Sequence, residues 1–325
     1  MNPVSVKFGW KWFVGAGLAA VLVAGSTPAR AVQLSSDAKS AIPEHVQQLI
    51  DIDYRAMENS PTAMALKERL LPPEIKSLET ALKQSGLDES HDVDSLCFAS
   101  FRPTNSSGYT KTLGIAQGQF SVEEMVANFK KHKVKPIAIR ANRLYPMGAS
   151  GMLVVFLNPT TMMFGSLDAL RPALATRDGL APSFLDNSNM VSAMQSVSSQ
   201  PLWSILDQKG TQFMMRNLLG QASQLADFNA IQSRLLDSSY TMNFNNGVKF
   251  ALNVVTPDAF TSATMSSLLN AAALYEKLSG TPVEKQAINA TTIDSMGGTL
   301  EVRFSTTSDE FNSLIQSPMF KSVVQ

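Results

Sequence analysis

In 325 residues the chain has a single cysteine, Cys97, and three histidines, His45, His91 and His132. One thiol excludes an internal disulfide framework and any cysteine-built zinc site. The histidines are scattered, with no HExxH spacing. A nucleophilic Cys97 would need a histidine delivered by the fold, and His91 and His132 lie nearest in sequence. Its plain reading is a small buried apolar residue within a strand. No phosphate-binding or dinucleotide-binding glycine pattern occurs, so no cofactor is expected. Gly148-Ala149-Ser150-Gly151 falls short of a nucleophile elbow, because its second glycine comes one residue early. Ser36-Asp37-Ala38-Lys39 matches the S-x-x-K of penicillin-recognising enzymes, yet neither S-D-N nor K-T-G accompanies it.

Charge is sparse and balanced, with 27 basic and 27 acidic residues. The first 31 residues read as a signal peptide. Lys7 and Lys11 precede an apolar run over residues 12–25, and Ala29-Arg30-Ala31 supplies small residues for cleavage. The run is shorter than the ~20 residues of an ordinary membrane span; an uncleaved anchor is the alternative. Cleavage removes Lys7, Lys11 and Arg30, leaving 24 basic against 27 acidic residues, a balance of −3. That balance does not suggest a nucleic-acid partner, and none is expected. No later run reaches transmembrane length, so the processed chain is expected to be exported, periplasmic or extracellular, and not integral to a membrane.

The most legible stretch is residues 240–278. Tyr240, Met242 and Phe244 alternate with polar residues before Asn246-Gly247, and Val248, Phe250, Leu252 and Val254 alternate after it. This is the pattern of a hairpin with one covered face. Thr256-Pro257-Asp258 then predicts a helix start. Met265, Leu268, Leu269, Ala272 and Tyr275 form its expected buried stripe, lying over its own hairpin, and Gly280 and Pro282 end it.

Taken in order, the chain divides into the signal peptide (1–31), a flexible leader (32–43), a first α+β unit (44–176), a connection rich in Ser, Asn and Pro (177–200) and a second α+β unit (201–325). In the first unit strands are expected over 46–53, 96–101, 109–119, 137–145, 152–157 and 160–164. Helices are expected over 61–70, 74–84, 122–129 and 168–175. The second unit repeats the order: strand 202–207, helices 211–219 and 227–236, the hairpin and helix above, then strands 288–293 and 300–304 and a final helix. Ser121 with Glu124 and Thr307 with Glu310 read as capping boxes. Apart from 137–145, a further irregular strand in the first unit, each half therefore reads β-α-α-β-β-α-β-β-α. The fold class is α+β: two tandem related units, each an antiparallel sheet with helices packed on one face.

Three polar or soft features remain. Lys130, Lys131, His132, Lys133, Lys135, Arg140 and Arg143 crowd fourteen residues after the helix over 122–129. They could meet an anionic envelope component, or simply satisfy a helix C-terminus and stay solvated. Asp88, Glu89, His91, Asp92 and Asp94 are oxygen-rich, but lack the spacing of a calcium loop and read as a solvated turn. Met162-Met163 and Met214-Met215 suit either core filling or an apolar small-molecule groove.

The phrases Leu157-Asn158-Pro159-Thr160-Thr161-Met162-Met163-Phe164-Gly165, Asp92-Val93-Asp94-Ser95 and Pro201-Leu202-Trp203 together resemble a group of uncharacterised secreted proteins of environmental bacteria, built as two related α+β halves. The resemblance implies export and duplication, and it carries no catalytic residues. The expected function is a non-enzymatic binding or envelope-associated protein. A hydrolase of cell-wall or extracellular polymer and a structural assembly component are the alternatives.

Overall fold

A computed structural model describes residues 33–102, 110–148, 151–219 and 228–317. The expected signal peptide, the expected turn at 103–108 with Tyr109, and the middle of Gly148–Gly151 lie outside them. The chain is α+β, and its strands pair antiparallel throughout the described ladders. It falls into two compact units. Along the first stretch come α1 (Ser36–Ala41), β1 (Val46–Asp53), α2 (Pro61–Leu70), α3 (Pro73–Gln84), α4 (Glu89–Asp92), β2 (Val93–Phe101) and β3 (Lys111–Gly118). They are followed by α5 (Val122–Lys131), β4 (Ile137–Ile139), β5 (Asn142–Met147), β6 (Met152–Asn158), β7 (Thr161–Gly165), α6 (Leu167–Arg177) and α7 (Ser188–Val197). The second stretch holds β8 (Leu202–Leu206), α8 (Gln208–Leu219), α9 (Phe228–Gln232), β9 (Asp237–Asn243), β10 (Val248–Val255), α10 (Ala259–Ser279), α11 (Pro282–Asn289), β11 (Thr291–Met296), β12 (Thr299–Thr306) and α12 (Ser308–Leu314).

The N-terminal unit orders its strands β1-β2-β3-β7-β6-β5-β4. One face carries Leu49, Ala99, Leu113, Ile115, Met163 and Val155, which share cross-strand registers and are all buried. It lies under α1 and α6, which pack on each other. The other face holds the aromatic core beneath α3 and α5. Helices therefore cover both faces of this sheet, where covering on one face was expected. The reason shows in β1 and β3, which are buried on consecutive residues instead of alternate ones. Residues 32–43 are not a flexible leader where described. Ser35 accepts from the Ala38 N–H to cap α1, and Leu34, Ala38 and Ala41 are buried. The expected connection at 177–200 contains a capped 3₁₀ turn at Phe184–Asp186 and then α7, with Phe184, Met190 and Met194 in the core.

The C-terminal unit orders its strands β11-β12-β10-β9-β8. Asn246 (φ 57°) and Gly247 (φ 102°) make the expected left-handed turn, and the ladder closes at Asn243–Lys249. A Cβ on Gly247 would meet the Thr306 carbonyl at 2.4 Å. Asp258, not Thr256, caps α10, because the Thr256 hydroxyl is engaged by the Gly298 carbonyl at 2.7 Å. This helix packs on β11 and β12 and not over its own hairpin, and Tyr275 faces outward. Beyond Gly280 the chain starts α11 at once, with Thr281 and Glu284 as a capping box and Pro282 at its first position. The strand expected at 288–293 consequently begins three residues later. Residues 59–70, which contain α2, group with this unit. There the Asn312 side-chain amide donates to the Thr62 hydroxyl at 3.3 Å. Trp203, Met214 and Met215 are core, as are Met162 and Met163 in the other unit.

Candidate functional site

The aromatic face of the N-terminal sheet is built row by row. Ile50, Phe98, Gly114, Phe164, Val154 and Tyr145 lie abreast on β1, β2, β3, β7, β6 and β5. The next row is Ile52, Leu96, Ala116, Met162 and Phe156. Phe164 is buried, and its ring occupies the space above Gly114. It meets the Phe98 ring edge to face at 5.9 Å. On the covered side, Phe129 of α5 stacks on Tyr145 at 4.7 Å and on Phe156 at 6.4 Å. Phe156 in turn reaches Phe120 at 6.3 Å. Leu96, Phe98, Met152 and Phe156 remain half-buried although β2 and β6 are interior strands. Apolar side chains on interior strands are normally sealed by a helix layer. Here the sheet keeps an aromatic surface partly open to solvent, and its chemistry suits an apolar, ring-bearing or aliphatic molecule.

The opposite face carries a buried polar row. Gln117 Nε2 donates to the Ser95 hydroxyl at 3.0 Å and to the Gln33 carbonyl at 3.3 Å, while its Oε1 accepts from the Ser35 N–H at 2.7 Å. One row along, Asp51 pairs across the ladder with Cys97. Asp51 is 2% exposed and its Oδ1 has no hydrogen-bond partner. Burial first, and the Asp53 charge second, push its carboxyl well above the ordinary carboxylate range, against the Ile52 backbone N–H and Lys39. Burial likewise raises the Cys97 thiol, and Asp51 adds to the effect. The thiol is thus held protonated. His91 hydrogen-bonds Asp92 at 2.9 Å and His132 terminates α5, both exposed, so neither serves as its base. Sequence reasoning missed Asp51; the available signal was an acid flanked by Ile50 and Ile52 in a run buried on both sides.

The basic run wraps a helix end. Lys130 and Lys131 occupy the last turn of α5. The Lys133 N–H then bonds the Lys130 carbonyl and the Val134 N–H the Phe129 carbonyl, a Schellman closure with Lys133 at φ 58°. Lys130, Lys131, Lys133 and Lys135 are exposed and succeed one another around this end. Arg140, in the β4–β5 turn at φ 51°, is drawn aside by Asp178 at 3.0 Å. Arg143 stands exposed on β5 opposite Ala138. Lysines and Pro136 beside the short outermost strand β4 also discourage further strand addition. The Asp88–Asp94 group is consumed locally. Asp88 caps α4, Asp92 accepts from the Asp88 N–H, and Asp94 pairs with Arg55 at 2.9 Å. Ser36 and Lys39 of the S-x-x-K match lie on α1, and Ser121 makes no side-chain cap. Among the described residues no His, Cys, Asp and Glu cluster could hold a metal ion, and no helix is long and apolar enough to cross a membrane.

No protein-family model matches the chain, and no curated protein matches it. Solved structures of TP0453 do. Its crystal form I covers 89% of this chain and 98% of its own at 10% identity, with a TM-score of 0.51. Crystal form III covers 87% and 99% at 11% identity, with a TM-score of 0.44. At such identity the form I match speaks to the fold alone.

Proposed function

We propose that the chain is an exported, non-enzymatic binding protein whose N-terminal unit takes an apolar small molecule on its aromatic sheet face. The observation that carries this reading is the half-burial of Phe98, Leu96 and Phe156 on interior strands, among rings held in fixed contact by α5. Leaving such side chains partly wetted forgoes about 25 cal/mol for each Å² not buried. A bound apolar ligand recovers that term. The basic residues Lys130, Lys131, Lys133 and Lys135 stand at the exposed end of that helix and give an anionic envelope component a second place to engage. Export rests on the signal sequence of residues 1–31 and on the resemblance to secreted two-repeat proteins.

The same reading includes tandem duplication. The run β1-β2-β3-β7-β6 corresponds strand for strand to β8-β9-β10-β12-β11, and α5 and α10 occupy equivalent places in the chain. The β4–β5 hairpin is then an insertion particular to the first copy.

Titration with 1-N-phenylnaphthylamine, an uncharged fluorescent apolar probe, tests the site. Saturable binding that weakens about tenfold in Phe98→Asp, with the circular-dichroism spectrum unchanged, is expected. Absence of saturable binding to the wild-type protein would remove the proposal.

A further inference from the structure

The aromatic sheet face of the N-terminal unit has two unlike ends. Along β2, Asp94, Leu96, Phe98 and Ser100 are half-buried on this face, while the residues between them are buried on the other. Leu96 and Phe98 form the apolar middle of the strip. At about 3.3 Å per residue the strip runs roughly 20 Å, a length for an extended alkyl chain. Its Asp94 end is acidic and already closed. The Arg55 guanidinium donates to Asp94 at 2.9 Å and to the carbonyls of Ser90 and His91. Beside it the Tyr54 hydroxyl bonds Glu89. Burial, and then the Glu89, Glu79 and Glu58 charges, push that phenol above its ordinary range.

The other end is uncharged across the sheet and open. Gln48, Ser100 and Thr112 stand abreast on β1, β2 and β3. The Ser100 and Thr112 hydroxyl oxygens lie 3.3 Å apart in an exposed pair. One hydroxyl donates to the other, so the second keeps an O–H to give outward. Arg102 comes next in the alternation that places Phe98 and Ser100 on this face. It is exposed and has no ion pair among the described residues. Lys111, the cation beside Thr112, is drawn to Asp168 at 3.1 Å. We propose that the molecule taken on this face is a long-chain carboxylate, its alkyl chain along Leu96 and Phe98 and its head at the Ser100–Thr112 end, paired with Arg102. This rests on the binding reading above and adds to it the ligand's class and direction.

Other heads fit the two ends less well. An anion at the Asp94 end would meet like charge from Asp94, Glu58 and Glu89. A cation there finds Asp94 already bonded by Arg55, and at the open end it would meet Arg102. An uncharged head leaves the Arg102 guanidinium unused. A phosphate monoester carries close to two charges at neutral pH, more than the single cation balances. A carboxylate brings one charge and two oxygens, which match the guanidinium fork and the spare hydroxyl together.

Displacement of 1-N-phenylnaphthylamine from the processed chain at neutral pH tests this, with dodecanoate, dodecanol, dodecylamine and dodecyl phosphate as competitors below their micelle concentrations. The alkyl chain is the same in all four, so differences report the head alone. Dodecanoate is expected to displace the probe at concentrations about fivefold lower than any of the others, the scale of one exposed ion pair. Arg102→Gln should abolish that preference while probe binding and displacement by dodecanol keep their wild-type values. Arg102 is exposed, so circular dichroism should show the variant folded. Equal displacement by the four, or a preference that survives Arg102→Gln, overturns the proposal and leaves the apolar site standing. Stronger displacement by the amine or the phosphate does the same and reassigns the head. A wild-type chain that takes up no probe removes the site itself, and this proposal with it.

Discussion

Phe98 and Phe164 meet edge to face across Gly114, a strand glycine whose missing side chain leaves the space that the Phe164 ring fills. A Cβ on Gly114 would lie 2.1 Å from that ring. The three residues sit abreast on β2, β3 and β7, so the glycine fixes the height at which the aromatic surface lies.

Gly114→Ala should therefore destabilise the protein, although alanine suits a strand better than glycine does. Forcing the buried Phe164 ring off its position costs about 1–3 kcal/mol. Urea unfolding measures it, and phenylnaphthylamine binding should weaken alongside. An unchanged midpoint would show that the ring moves freely and that the surface is not pre-formed.

Asp51 makes stability depend on pH in an unusual direction for a carboxylate. Its folded-state pKa is raised above the ordinary 3.8, so over the window between those two values the native state holds more protons than the unfolded chain. Stability consequently falls as pH rises through that window, and the loss is complete above the folded pKa. Asp51→Asn should remove this dependence and raise stability at pH 8 by on the order of 1–3 kcal/mol, the cost of a buried group left unpaired. Thermal melts of both proteins from pH 4 to 8 give the slopes; parallel curves would contradict the assignment.

Gln117 ties the start of the described chain into the core through Ser35 and Gln33. Gln117→Leu leaves the Ser35 N–H and the Ser95 hydroxyl without that partner. A loss of about 1–3 kcal/mol is expected, with faster amide exchange over residues 33–41. Unaltered exchange there would mean that Leu34 and Ala38 hold the segment by packing alone.

Lys133 holds the left-handed position that closes α5. A side chain there costs roughly 1–2 kcal/mol, so Lys133→Gly should stabilise the protein by up to about 1 kcal/mol while removing a charge from the basic run. A drop in melting temperature would show that the Lys133 side chain makes a contact outweighing its backbone strain.

Much of this architecture could be read from the residues because local and tertiary demands agree. β1 spans residues 46–53 as expected, and Asn246-Gly247 makes its turn. Thr307 and Glu310 cap α12 reciprocally. Where they were misread, a rival signal was present. Gly280 and Pro282 suggested only an ending, while Thr281 and Glu284 already spelled the start of α11. Leu96, Cys97, Phe98 and Ala99 are apolar in succession, so no alternation told which of them β2 would bury. Nor could the sequence reveal that Leu96 and Phe98 would stay half open, because coverage depends on where α3 and α5 come to rest. The partner of Gly114 was equally hidden, since Phe164 lies fifty residues away in sequence. The outward Tyr275 follows from α10 packing on β11 and β12, which no period within the helix encodes.

Native mass spectrometry of the processed protein, purified from its own exported fraction, tests the central claim most directly. The account predicts an apolar molecule bound in a fixed one-to-one ratio to the wild-type chain and lost from Phe98→Asp. A wild-type chain that arrives bare, or one whose bound molecule survives that substitution, would contradict it.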